Sequence, residues 1–132
     1  MKLSKLALAG MLAAASVAGS MTAAAPASAA SYGGECGAGY AVVNSAAVGG
    51  DATMFLTYNN GWNCLVVVRN TQGSATFMGA YLKKSSVESF TKDEGYFTRY
   101  AGPVYVLATD SCVDWRGRVD STVASKYGTN CG

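Results

Sequence analysis

The sequence of 132 residues contains no histidine. Histidine is the usual general base near neutral pH, and it belongs to the Ser-His-Asp and Cys-His nucleophile systems and to the common zinc sites. A P-loop motif and a dinucleotide-binding fingerprint are also absent. These absences exclude the most widespread hydrolytic and nucleotide-dependent mechanisms. We therefore predict a protein that is not an enzyme and that binds neither a cofactor nor a metal ion.

Charged residues are scarce, at 14% of the chain. Two of the ten basic residues, Lys2 and Lys5, lie near the N-terminus, so residues 30–132 hold eight basic and eight acidic side chains and carry no net charge. Proteins that bind nucleic acid or anionic membranes normally present a basic patch. We therefore expect no nucleic acid among the partners of this protein.

Long apolar runs are missing from residues 30–132, whereas residues 6–21 form an uncharged stretch rich in alanine, leucine, methionine and valine. Lys2 and Lys5 precede this stretch, and the small residues Ala27-Ser28-Ala29 follow it. This order is that of a secretory signal peptide rather than of a membrane-spanning helix. The sequence predicts a signal peptide over residues 1–29, and a single all-β secreted domain without a membrane span over residues 30–132.

The cysteines are few but even in number. All four lie in the predicted secreted domain, at Cys36, Cys64, Cys112 and Cys131. In a small exported protein this pattern predicts two disulfides, for which sequence alone allows three connectivities. We expect the local pairs Cys36–Cys64 and Cys112–Cys131, since their loops close easily in an antiparallel meander. The two pairings that join the halves of the chain stay open until Cα distances are known.

Apolar residues in the predicted domain recur with a period of two. The segments 53–58 and 64–69 show this period and flank Asn60-Gly61, which favours a type I′ turn and so predicts a hairpin. Further strands are predicted over residues 75–82, 104–108 and 112–119, with Pro103 at a strand start or sheet edge. Frequent turn residues favour a small antiparallel β-sandwich or barrel of about six to eight short strands.

Carboxylates are the remaining candidates for chemistry. Glu94, Asp110 and Asp114 lie near strand ends and could converge on a cleft to act in hydrolysis by two carboxylates. Asp110, Asp114 and Asp120 could hold calcium, although the twelve-residue loop pattern of calcium-binding hands is missing. Acidic residues beside glycine and serine are far more often turn formers on a solvated surface. We favour this surface interpretation and assign no catalytic residue.

Aromatic and arginine residues form the candidate binding surface. Tyr96, Arg99 and Tyr100 lie in one aromatic-rich segment, and Trp115, Arg116 and Arg118 alternate along a predicted strand. Tyrosine, tryptophan and arginine are enriched at interaction hot spots, and aromatic rings can stack on sugars. The competing interpretation is that these aromatic residues, Trp115 included, fill the core of a small β-protein.

Several short motifs are spread over essentially the whole predicted domain: CGxGYxVVNS from Cys36, FLTYN from Phe55, NCLVVVRNT from Asn63, YAGPVYV from Tyr100, CVDW from Cys112 and GTNCG from Gly128. Together these motifs resemble those of the spore-associated protein A family of actinobacteria. The resemblance implies a secreted protein of filamentous, sporulating bacteria that is recovered with the spore surface. The family supplies no catalytic residues to carry over.

Two function classes follow. The first is a non-catalytic secreted protein, monomeric and associated with the spore or cell surface, that acts as a structural or interaction module for an unknown surface polymer or protein. The alternative is an inhibitor of a secreted hydrolase, because the predicted size and disulfides resemble those of streptomycete α-amylase inhibitors. Those inhibitors present a Trp-Arg-Tyr triplet, whereas this chain has Trp115-Arg116-Gly117.

Overall fold

The computed structural model describes residues 28–132, which form eight antiparallel β-strands and no helix. The strands are β1 (Ala41–Val48), β2 (Ala52–Asn59), β3 (Trp62–Arg69), β4 (Thr76–Lys84), β5 (Thr91–Phe97), β6 (Tyr100–Leu107), β7 (Val113–Val119) and β8 (Thr122–Thr129). The all-β prediction is confirmed. The predicted signal peptide lies almost wholly outside the described residues. In the described part of the chain no helix is long and apolar enough to cross a membrane.

The strands form two four-stranded sheets packed face to face. Sheet A has the order β1-β2-β3-β6, and sheet B has the order β5-β4-β7-β8. The chain changes sheet after β3, after β5 and after β6. The Gly102 N–H donates to Asp93 Oδ2 at 2.8 Å and so ties β6 of sheet A to β5 of sheet B. The architecture is therefore a β-sandwich, as the sequence predicts.

The predicted hairpin joins β2 to β3. Asn59 pairs with Trp62 across the turn, and Asn60 and Gly61 adopt φ angles of 47° and 89°. Positive φ at both central positions is the requirement of a type I′ turn, which asparagine and glycine meet at low cost. A Cβ on Gly61 would also lie 2.5 Å from Thr109 Oγ1, so the turn has no room for a side chain there.

The core lies between the sheets and contains one face of every central strand. Met54 and Leu56 of β2 and Leu65 and Val67 of β3 meet a second set of fully buried residues from sheet B, namely Met78, Ala80, Leu82, Val113 and Trp115. Gly117 completes this layer, because a Cβ there would lie 2.9 Å from Val48 Cγ2 and 3.2 Å from Met54 Sδ. The two sheets can approach this closely only because residue 117 lacks a side chain.

The segment before β1 covers the central part of the outer face of sheet A, while Trp62, Tyr105 and Leu107 on the same face stay exposed. Cys36 forms a disulfide with Cys64 of β3, and Tyr32 packs on Phe55 with ring centroids 6.0 Å apart. The Tyr105 hydroxyl donates to the carbonyl oxygen of Cys36 at 2.8 Å. As a result Phe55 and its outward-facing neighbours Thr57 and Val66 are buried, so the central strands of sheet A are packed on both sides.

The second disulfide joins Cys112, just before β7, to Cys131, just after β8. Both local pairings predicted from the sequence are therefore confirmed, and the described residues leave no cysteine free. By the loop-closure argument each bond contributes roughly 3 to 4 kcal/mol. Because the net stability of such a domain is about 5 to 15 kcal/mol, each bond is a large part of the total.

Candidate functional site

The outer face of sheet B gathers arginine and aromatic side chains, and we call it the arginine–aromatic face. It is centred on Arg116 and Arg118 of β7, which point away from the core because residues alternate along a strand. Arg116 lies opposite Tyr81 of β4 on one side and Ser125 of β8 on the other. Two central strands thus supply the middle of the face, and the edge strands supply its margins.

Both guanidinium groups lie over aromatic rings. Arg116 Cζ is 4.8 Å from the ring centroid of Phe90 and 5.9 Å from that of Tyr81. Arg118 Cζ is 4.8 Å from the centroid of Phe77. A cation over an aromatic face is attracted by the ring quadrupole, by about 0.5–1 kcal/mol at an exposed site. The rings therefore restrict the positions of the two guanidinium groups.

Hydrogen bonds fix the inner nitrogen of each guanidinium group. Arg116 Nε donates to Ser125 Oγ at 3.1 Å, and Arg118 Nε donates to the carbonyl oxygen of Asp120 at 2.5 Å. Neither arginine forms an ion pair within 4.0 Å in the part of the chain that the structure describes. The two positive charges are positioned by the fold and form no direct ion pair, and the Arg118 guanidinium is near enough to Glu94 to help lower the pKa of that carboxyl group.

Tyr81 lies across the middle of the face and donates its hydroxyl hydrogen to Glu94 of β5. Burial, followed by this hydrogen bond, raises the pKa of Tyr81 to about 12. The same bond is the main cause that lowers the pKa of Glu94, and Lys92 adds to it. Gly79 makes the arrangement possible, because a Cβ there would lie 2.6 Å from the Tyr81 ring.

Lys83 and Asp114 form a neutral pair at one end of the face, with Nζ and Oδ2 3.0 Å apart. Ser85 Oγ and the Gly128 N–H also donate to Asp114 Oδ1, at 2.5 Å and 2.8 Å. Burial raises the pKa of Asp114, but the hydrogen bonds from Ser85 and Gly128 and the Lys83 ammonium outweigh it and hold the pKa below its ordinary value. The charge of Lys83 is therefore balanced by a direct ion pair, whereas neither arginine has an ion pair among the described residues.

Two tyrosines stand at the sides of the face and are open to solvent. Tyr96 of β5 is 74% exposed and Tyr127 of β8 is 63% exposed. Tyr96 packs edge-on against Phe77 with centroids 5.6 Å apart. Hydrogen bonds with Ser125 and then with Arg116 lower the pKa of Tyr127. Both rings therefore connect directly to the residues that hold the arginines.

The structure brings together three of the residues predicted as a binding surface, Arg116, Arg118 and Tyr96. The prediction that Trp115 is part of this binding surface is wrong, because the side chain is 0% exposed. Its Nε1 donates a hydrogen bond to Thr129 Oγ1 at 2.7 Å. The two-residue period that turns Arg116 and Arg118 outward turns Trp115 into the core.

Arg99 and Tyr100 belong to a different place. They lie where β5 turns into β6, and with Ala30 and Arg69 they line an open cleft of about 470 Å³. The Arg69 guanidinium in this cleft donates to the carbonyl oxygens of Ser74 and Thr98, at 2.8 Å and 3.2 Å. Arg69 is thus used to hold two loops together, and the cleft is separate from the arginine–aromatic face.

Sequence reasoning did not identify Phe77, Tyr81 and Phe90 as part of the site. The alternation that places Phe77 and Tyr81 on one side of a strand is visible in the sequence. Their position beneath Arg116 and Arg118 follows only from the pairing of β4 with β7. That pairing joins distant parts of the chain and has no local signal.

The candidate acidic residues are dispersed. Asp110 and Asp120 occupy turns with φ angles of 52° and 51°, and Asp120 accepts a hydrogen bond from Thr76 at 2.8 Å. Glu94 and Asp114 are held by the contacts described above. Among residues 28–132 no three His, Cys, Asp or Glu side chains are grouped closely enough to hold a metal ion, so the proposed calcium ligands are not brought together.

The comparisons with known proteins found one similar curated protein. Spore-associated protein A of Streptomyces coelicolor is 48% identical over 126 residues, which cover 94% of this chain and 80% of the relative. No protein-family model matches the sequence, and no solved structure matches it significantly.

Proposed function

Because this chain belongs to the spore-associated protein A family, we propose that it is a secreted, non-catalytic protein that associates with the spore or cell surface through the arginine–aromatic face. The observation that carries the proposal is the pair Arg116 and Arg118. Both are oriented by aromatic rings and hydrogen bonds, and neither has a carboxylate partner among the described residues. Positioned cations and aromatic rings on an open face are typical of a contact surface.

The acid–base properties of the face support binding rather than catalysis. A general acid at neutral pH needs a raised carboxyl pKa. Glu94 and Asp114 instead have lowered pKa values, because hydrogen bonds favour their ionised forms. These carboxylates position Tyr81 and Lys83, which are neighbours of the two arginines.

The disulfides support a location outside the cytoplasm. Such bonds form and persist in oxidising compartments and are rare in the cytosol. The two bonds found here also fix the segment before β1 and the end of β8. A small domain stabilised in this way is suited to an extracellular or spore-surface environment, where chaperones and reductants are scarce.

The hydrolase-inhibitor hypothesis gains no support from these findings. The inhibitors that suggested it present a tryptophan and an arginine together on a turn. Here Trp115 is buried in the core, and Trp115 and Arg116 are both in the middle of β7.

Retention on washed spores tests the proposed function. We compare the wild-type protein with the double variant Arg116→Gln/Arg118→Gln, and we expect retention to fall at least about tenfold, which corresponds to roughly 1.4 kcal/mol. Arg99→Gln is the matched control, since Arg99 is exposed and lies outside the face. Wild-type protein that washes off spores, or a folded double variant retained like wild type, would contradict the proposal.

A further inference from the structure

The chemistry of the ligand can be derived from the two arginines. A guanidinium group is a planar fork of N–H donors that matches a carboxylate in a two-point contact. In Arg116 and Arg118 the inner Nε already donates a hydrogen bond within the protein, which leaves the terminal nitrogens as the donors for a ligand. Because no carboxylate of the described residues forms an ion pair with either group, the missing counter-charge is best supplied by an anionic ligand.

The spacing of the arginines indicates more than one anionic group. Residues two positions apart on a strand are separated by about 6.6 Å, so a single small anion would satisfy only one of the two groups well. A polymer with repeated negative charges can satisfy both. Tyr96 and Tyr127 lie on the two edge strands of sheet B, roughly 14 Å apart across the strands, and the strand register offsets them by about 17 to 20 Å along the strands. The face is therefore long enough for an extended ligand.

The exposed tyrosines indicate the chemistry of the uncharged parts of the ligand, which lie between its anionic groups. A tyrosine has an apolar ring and a polar tip, which suits the flat apolar side of a sugar ring and its hydroxyl groups. Tyr96 packs edge-on against Phe77, so its ring is partly ordered before a ligand arrives. Preordered groups reduce the entropy lost on binding.

The charge of the face argues against a nucleic acid as the ligand. Proteins that bind nucleic acid tightly often neutralise about six to ten phosphates. Among the described residues of this face only Arg116 and Arg118 are cations without a direct ion pair, and the nearby Lys83 and Lys92 are paired with Asp114 and Glu94. Residues 30–132 as a whole carry no net charge. A polymer of moderate charge density fits this face better than a polyphosphate chain.

We propose that the ligand of the arginine–aromatic face is an acidic polysaccharide, with its carboxylates paired to Arg116 and Arg118 and its sugar rings stacked on Tyr96 and Tyr127. This inference rests on the proposed surface association and names the chemical class that the same face recognises. Each contact uses a group that the fold has positioned and left accessible.

Polygalacturonate is the probe, and its fully methyl-esterified form is the matched control, because the two share the same sugar rings and differ in charge. We expect the wild-type protein to bind the acid form at least about tenfold more tightly in calorimetric titration, and the preference to shrink as salt is raised. Equal binding of both forms would overturn the assignment, as would tighter binding of a single-stranded oligonucleotide.

Variants then locate the contact. Arg116→Gln/Arg118→Gln is expected to weaken binding of polygalacturonate at least about tenfold, whereas Arg116→Lys/Arg118→Lys is expected to retain part of it, because charge remains but the planar fork is lost. Tyr96→Ala/Tyr127→Ala removes the stacking rings and should weaken both polymers. Arg99→Gln should bind like wild type. A folded glutamine variant that binds normally would overturn the proposal.

Spore retention separates this inference from the proposed function. If the protein stays on spores but neither binds polygalacturonate nor is released by it, the acidic-polysaccharide assignment fails and surface association stands. If the protein binds polygalacturonate but washes off spores, the proposed surface association fails and the ligand chemistry stands.

Discussion

The two outer faces of the sandwich differ in whether a segment of the chain covers them. On sheet A the outward side chains of Phe55, Thr57 and Val66 are buried beneath the segment that precedes β1. On sheet B no segment covers the outer face: Tyr81 and Asp114 are buried among their neighbours, the two arginines are half-buried, and Tyr96 and Tyr127 are mostly exposed. A strand pattern that looks similar in both sheets therefore has two outcomes, and the position of the covering segment decides between them.

The amino-acid composition of each outer face agrees with whether that face is covered. The outward residues of β2 and β3 are threonine, phenylalanine, cysteine and valine, which gain free energy when they are removed from water. The exposed outward residues of β7 are Arg116 and Arg118, which would lose hydration if they were covered. The covering segment therefore lies where burial is favourable, and the charged face carries no such segment.

Trp115 tests the core that both faces share, and its replacement has the largest expected effect. Trp115→Ala removes the largest fully buried side chain and should lower the free energy of unfolding by about 3 to 5 kcal/mol. Chemical denaturation measures this change. Trp115→Phe keeps a ring but loses the hydrogen bond to Thr129, so it should be milder. If the alanine variant lost less than about 1 kcal/mol of unfolding free energy, Trp115 would not be a core residue.

Removing the Cys36–Cys64 disulfide tests whether this bond keeps the outer face of sheet A covered. Cys36→Ser/Cys64→Ser should cost about 3 kcal/mol of stability and should expose the outward residues of sheet A to a hydrophobic dye. Spore retention should persist below the melting temperature, because the arginine–aromatic face is on the other sheet.

The matched control for that variant is Cys112→Ser/Cys131→Ser. This change also removes one disulfide, but it leaves the covering segment attached to sheet A. We expect a comparable loss of stability without dye binding. Equal dye binding by both variants would show that the first disulfide does not hold the cover in place.

The central strands were predictable from the sequence, and most of the edge strands were not. β2, β3, β4 and β7 are largely buried, and their apolar runs or alternation are therefore visible in the sequence. β1, β5 and β8 are edges with few fully buried positions. Lys92-Asp93-Glu94-Gly95 has the composition of a turn but forms the middle of β5, because an edge strand tolerates charged residues.

Pro103 and the valines of β3 show where local chemistry was sufficient. A proline cannot donate a hydrogen bond to a neighbouring strand, so an edge position was predicted, and β6 is the edge of sheet A. The run Val66-Val67-Val68 predicted packing on both sides, which the cover on sheet A provides. In contrast, the sequence left Trp115 open between core and surface, because alternation alone does not say which set of residues faces inward.

The smallest expected effect is that of replacing Asp114, which forms an ion pair with Lys83 at one end of the arginine–aromatic face. The lowered pKa of Asp114 means that its ionised form stabilises the folded state. Asp114→Asn keeps the shape but leaves Lys83 without its ion pair, and it should cost about 2 kcal/mol near neutral pH.

The stabilisation by Asp114 must depend on pH in a defined direction. A carboxyl group with a lowered pKa in the folded state binds fewer protons than it does when unfolded, so its contribution is complete above its ordinary pKa of 3.8 and is lost as the pH falls through the folded value. The stability difference between wild type and Asp114→Asn should therefore shrink in acid. Glu88→Gln, at an exposed carboxylate in the loop before β5, controls for the loss of one charge. A difference that stays constant down to strongly acidic pH would mean that packing or neutral hydrogen bonds, rather than the charge of Asp114, hold this end of the face.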